Sequence, residues 1–214
     1  ASSALANLRR DLSRLKDVVG EESLIIERDR VQVDSSHLWV DVTRFETLIQ
    51  QYDEHPHENA EEAQGRGKPY CSSCEAALRE AAGLYGEGFM RGFTLPDSPG
   101  FDEWQYFQAE RLEAMQSAAL QQLVRWSIDQ QAYGLGIDYA LRWLALDPLH
   151  EPACRQVMRL YARSGQISAA LRQYQVLAGA LKKELGIEPE PETQALYEEI
   201  RTRRWNERSP LYSL

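Results

Sequence analysis

The sequence predicts a mainly α-helical protein, an α-α superhelical array of paired helices with one small β-hairpin near its start. Three observations predict it. Apolar residues recur at helical spacing through most of the chain, as at Val42, Phe45, Leu48 and Ile49. Residues 181–200, LKKELGIEPEPETQALYEEI, read as a helix end, a tight turn and a new helix. There Lys182 and Lys183 meet the negative helix end, Gly186 suits a left-handed cap, and Pro189 and Pro191 stop one helix and permit the next. Finally, Tyr161, Gly165, Ala170 and Tyr174 follow one another at spacings of 4, 5 and 4. Such alternation of aromatic and small residues lets antiparallel helices approach closely and fills the gap to the next helix.

Composition bounds the rest. At 214 residues, 43% of them apolar, the chain can bury a sizeable core. No apolar run approaches the roughly 20 residues of a membrane span. The opening ASSALANLRRD is amphipathic, unlike a signal peptide. Three unevenly placed cysteines do not make a secreted disulfide framework, so a cytoplasmic location is expected. The lack of an initiating Met suggests a piece of a longer protein. The net charge of −9 argues against nucleic-acid binding over the whole surface. Its distribution is uneven: residues 1–20 carry four basic and two acidic side chains, residues 34–214 carry 18 and 27.

Along the chain, residues 4–19 place Leu5, Leu8, Leu12, Leu15, Val18 and Val19 on one helical face, and Gly20 ends the helix. That leucine face is expected to dock on Val42, Phe45 and their neighbours, or on another chain. Residues 23–33, SLIIERDRVQV, form two β-branched runs about a turn near Arg28 and Asp29, a hairpin. A helix follows over 41–52. Residues 53–70 are polar, contain Gly65, Gly67 and Pro69, and read as a loop. Helical patterning resumes over 73–85 and breaks at 96–100. It then runs over 101–131, with Trp104, Phe107, Leu112, Met115, Leu120, Leu123 and Trp126 as expected core. Residues 136–148, GIDYALRWLALDP, and the helical run 153–180 look like successive tetratricopeptide (TPR) units.

The wording from Glu184 to Ile200, E-L-G-I-x-P-x-x-x-T-x-x-L-Y-x-x-I, closely resembles the end of the bacterial transcriptional activator domain of SARP-type regulators. Leu84, Tyr85, Phe89, Gly92 and Phe93 resemble another segment of that domain, although Glu87 stands where the family has glycine. Asp41, Phe45 and Glu46 match its D-x-x-x-F-E helix. The helix and hairpin of residues 4–33 resemble the second half of a winged helix-turn-helix of the OmpR type. The resemblance implies residues 1–34 as the end of a DNA-binding domain, 35–205 as a TPR-like activator domain, and 206–214 as a tail or linker. It also implies DNA as one partner. RNA polymerase, or a second copy of the chain, would meet the helical domain.

Three groups of side chains carry chemistry. Asn7, Arg10 and Arg14 lie opposite the leucines, where arginine could fork onto guanine and asparagine onto adenine; Arg28 and Arg30 at the hairpin tip suit phosphate or the minor groove. A merely solvated face is the competing account. His55 and His57, followed by Cys71 and Cys74, make a legitimate tetrahedral zinc set, the cofactor expected if any is bound. An exposed histidine pair and a helix-start C-x-x-C with one buried thiol would explain the same residues. Arg155, Arg159 and Arg163 recur every fourth residue as a basic stripe on an acidic domain, suited to an acidic partner or merely solvated. Cys154 reads as a small core residue, and Trp205 as a helix end or domain junction.

None of the phosphate-loop, nucleophile-elbow, zinc-protease or dinucleotide motifs is present, and no carboxylate pair is evident, so catalysis is the poorest account. A TPR scaffold that never touches DNA is the main rival to a regulator. A metal-dependent hydrolase built on His55 and His57 would need an open coordination position and a general base.

Overall fold

The computed structural model describes residues 2–57 and 68–202. Cα proximity divides the chain into two compact units between Thr47 and Leu48.

The first unit opens with α1, Ser2–Val19, which stops at Gly20, whose φ of 95° favours glycine. A 3-10 turn, Glu21–Ser23, leads into β1, Leu24–Ile26, which pairs antiparallel with β2, Val31–Val33, in the register Leu24↔Val33 and Ile26↔Val31. The Glu27 N–H donates to the Arg30 carbonyl at 2.9 Å and closes the expected hairpin. A second 3-10 turn, Ser35–His37, is capped by the Asp34 carboxylate, which accepts from the Ser36 N–H at 2.9 Å. Helix α2, Asp41–Glu54, then starts in this unit and ends in the next. Within this chain the leucine face of α1 finds little of the cover expected from Val42, Phe45 and their neighbours. Leu5, Leu8 and Leu15 are 56%, 53% and 44% exposed. Two three-residue strands and two short turns offer too little apolar surface to cover an 18-residue stripe.

The second unit is helical: α3 Ser72–Leu84, α4 Pro99–Asp129, α5 Tyr133–Leu146, α6 Glu151–Arg163, α7 Ile167–Glu184 and α8 Pro191–Arg201. From α3 onward each helix packs on the next, and α8 also folds back on α6. The core between them holds Leu78, Leu120, Leu123, Trp126, Val157, Met158, Leu160, Leu177 and Ile200. Cys154 is fully buried, as a small core residue should be.

Glycines divide the labour. The run expected over 153–180 is two helices, broken at Gly165, whose φ of 78° caps α6 in the left-handed region. An added Cβ there would meet nothing within 4 Å, so Gly165 serves the turn and not helix approach. Close approach falls to Gly136 on α5, where a Cβ would sit 2.9 Å from Leu160 Cδ2 and 3.2 Å from Ser127 Cβ, and to the buried Ala140 and Ala170. The hairpin read at 181–200 forms as expected. The Leu185 N–H closes α7 onto the Leu181 carbonyl, Gly186 has a φ of 72°, and Pro191 opens α8.

Helix α4 departs from expectation. Leu112, Leu120, Leu123 and Trp126 are core, but Met115 is half-buried and Trp104 and Phe107 are 46% and 60% exposed. The first half of α4 instead gathers rings: Phe89 and Trp104 are 5.6 Å apart, Phe93 and Phe101 5.7 Å. Most of the polar loop expected over 53–70, together with Trp205 and the 206–214 tail, lies outside the described residues. No described helix is long and apolar enough to cross a membrane.

Candidate functional site

The arginine row on α6 is not a solvent-facing stripe. Arg155 and Arg159 are only 6% and 8% exposed, and Arg163 is half-buried. The cause is α8, which packs on α6. Arg155 Nη1 donates to Glu190 Oε2 at 2.6 Å and to the buried Thr193 hydroxyl at 2.9 Å. One turn earlier, both oxygens of the buried Glu151 carboxylate accept from the Glu190 N–H, at 3.0 and 2.9 Å. Burial, then repulsion from Arg155, pulls the Arg159 guanidinium below its usual range, while Glu199 opposes the shift. Thus Glu151 and Arg155 hold the residue before α8 and satisfy orphan groups at its start. Sequence reasoning passed over Glu151 and Glu190, and held Thr193 only as the threonine of the closing motif. An opposite charge four residues apart is the ordinary mark of a solvated helix face, so the local sequence carried no signal that Glu151 and Arg155 are buried.

In the first unit Arg9, Arg10, Arg14, Arg28 and Arg30 are exposed, and Lys16 and Arg44 are half-buried. Their side chains make local pairs: Arg10 donates to Asn7 Oδ1 at 2.9 Å, Arg14 lies 4.0 Å from Asp11, and Arg30 grips Glu27 at 2.6 and 3.1 Å. Arg28 lies beside them at the hairpin tip. Exposed pairs of this kind hold side chains weakly.

A third group gathers in the second unit, where the end of α2 meets the start of α3. His55 and His57 follow α2 directly, and Cys71 stands just before α3, one turn before the buried Cys74. Ligand atoms of His55, His57 and Cys74 lie within 4.8 Å of one another, a set that could hold a metal ion. Cys74 Sγ is 3.5 Å from His57 Nε2, and the two imidazoles meet edge to face at 5.0 Å. The Cys71 thiol lies 3.3 Å from the Ser73 hydroxyl, which is 3.5 Å from His55 Nε2. Hydrogen bonding, chiefly from Ser73, brings the Cys71 thiol down to about 7, while burial pushes Cys74 up to about 11. Burial, then the neighbouring His55 and Lys68, lowers His57.

Lys68, which sequence reasoning also passed over, ties the two arms. Its Nζ donates to the Tyr52 and Asp53 carbonyls, each at 2.7 Å, and lies over the Tyr52 ring at 4.3 Å. Its carbonyl accepts from Trp126 Nε1 at 3.0 Å and from Gln122 Nε2 at 3.1 Å.

The model of the bacterial transcriptional activator domain matches residues 40–201. The chain belongs to this family. Its helices α2 to α8, the cysteine–histidine group and the Glu151–Arg155 lock all fall within the activator domain so defined. Over 201 residues the chain is also 25% identical to the regulatory protein AfsR of Streptomyces griseus, a match covering 93% of this chain and 19% of that protein. The family is one of transcriptional regulators, in keeping with the resemblance in the closing motif from Glu184 to Ile200.

Proposed function

We propose that this chain is the protein-contacting part of a transcriptional activator, joined to the end of its DNA-binding domain. Residues 1–34 would complete a winged helix-turn-helix, and residues 35–205 would form a TPR-like array that meets RNA polymerase or a second copy. Residues 206–214 would lead onward. The observation that carries this reading is the order of parts. A helix with Asn7, Arg10 and Arg14 exposed, and a hairpin with Arg28 and Arg30 at its tip, stand directly before the matched activator domain. The acidic balance of the remainder suits protein contacts better than phosphate contacts.

The test is operator binding by the intact regulator at fixed salt. Arg10→Ala and Arg14→Ala should each weaken binding, by roughly 5- to 150-fold where a base-reading fork is lost. An arginine that touches only phosphate would instead weaken all sequences about equally. Unchanged affinity in both variants would remove this face from the DNA interface. Transcription in vitro with purified polymerase tests the other half. An intact regulator that binds its operator yet never stimulates transcription would sink the activator reading and favour a scaffold.

A further inference from the structure

We propose that His55, His57, Cys71 and Cys74 hold one structural zinc ion that ties the end of α2 to the start of α3. The distances fit. Zinc–sulfur and zinc–nitrogen bonds of about 2.3 and 2.0–2.1 Å at tetrahedral angles put sulfur and nitrogen about 3.6 Å apart. Cys74 Sγ and His57 Nε2 are 3.5 Å apart. The third ligand atom, on His55, lies within the same 4.8 Å group. Cys71 is the natural fourth, because it precedes Cys74 by three residues at a helix start, the arrangement by which C-x-x-C delivers two sulfurs to one ion. In the fold described its thiol is turned to the Ser73 hydroxyl, itself next to His55, so joining the ion would take a turn of the Cys71 side chain.

The site is held ready by groups that are not ligands. Lys68 fastens the last turn of α2 through two carbonyls, and its own carbonyl is fastened to α4 by Trp126 and Gln122. Both ligand pairs are thereby presented from anchored backbone. Thirteen residues separate His57 from Cys71, and a metal closing that span removes conformational freedom from the unfolded chain. Four protein ligands leave no position for water or substrate, which makes the ion structural and not hydrolytic. Such an ion would tie α2 to α3 whether or not the chain meets DNA or polymerase.

The experiment is metal analysis of the whole chain purified without chelator, followed by exchange with cobalt(II). About one zinc per chain is expected. Cobalt should show the spectrum of a tetrahedral site with thiolate-to-metal charge transfer, and Cys71→Ser should lower that charge transfer by about half, one of two sulfurs being lost. Cys71→Ser and His55→Gln should each weaken zinc affinity by more than the roughly 10–100-fold that loss of an outer-shell partner costs. These two side chains are not fully buried, so the variants are chosen to stay folded; circular dichroism verifies it. The proposal fails if the folded chain takes up no zinc from zinc chloride. It fails equally if both variants bind zinc like the parent, or if cobalt is held without charge transfer from sulfur.

Discussion

Buried charges set the residue scale. Glu151 and Arg155 are 6% exposed each, an expensive place for charge unless every polar atom is matched. Here they are matched by the Glu190 N–H, the Glu190 carboxylate and the Thr193 hydroxyl. Breaking a buried pair costs about 3–5 kcal/mol, but Glu190 is 53% exposed and can turn to water. Arg155→Ala should therefore cost about 2–3 kcal/mol and lower the melting temperature by roughly 4–12 °C. Thermal unfolding checks this, and an unchanged midpoint would mean that the pair contributes nothing to docking α8. Two glycines on α5 make a sharper comparison. At Gly134 a Cβ meets nothing within 4 Å, so Gly134→Ala should stabilise by up to about 1 kcal/mol through helix propensity. Gly136→Ala has the same gain, set against about 1–3 kcal/mol for pushing into Leu160 and Ser127. The second variant should unfold at lower denaturant than the first. The reverse order would show that α5 has room to move.

Individual elements show why some of the fold was legible in the sequence and some was not. Caps and breaks are local chemistry. Gly20, Gly186 and Pro191 mark real helix ends because the left-handed or N-terminal conformation they favour is decided within a few residues. Two metal-type pairs, H-x-H and C-x-x-C, can also be recognised from spacing, although only the fold brings His55, His57 and Cys74 together. Orientation is another matter. An arginine every fourth residue looks solvated on a lone helix, and nothing within residues 151–163 reveals that α8 returns to cover it. Aromatic residues on α4 mislead in the opposite sense. Their helical period is genuine, but burial needs a neighbouring element, and α4 runs 31 residues while its buried positions begin at Leu112. The two halves should respond differently to substitution. Leu123→Ala, at 1% exposed, should cost about 2–5 kcal/mol, whereas Phe107→Ser, at 60% exposed, should cost under about 1 kcal/mol. Denaturant titration decides it, and an equal loss at both sites would place Phe107 in a core after all.

At the scale of the molecule, the second unit is built from neighbours: α3 on α4, α4 on α5, α5 on α6, α6 on α7, with α8 on α7 and α6. Stability in such an array is close to a sum of helix terms and nearest-neighbour interfaces, so elements with a neighbour on each side open last. Helices α5 and α6 should accordingly show the slowest amide hydrogen exchange, with α3 and α8 faster. In the first unit α1 packs chiefly on the turn at Glu21–Ser23 and leaves Leu5, Leu8 and Leu15 exposed. An 18-residue helix without tertiary cover is marginal in water, since helix nucleation is costly and propensity alone adds little. Its amides should exchange fastest of all the described helices, as measured residue by residue in dilute solution. Protection of α1 equal to that of α5 under those conditions would mean that its leucine face has found cover, and the exposed face described here would not be its state in solution.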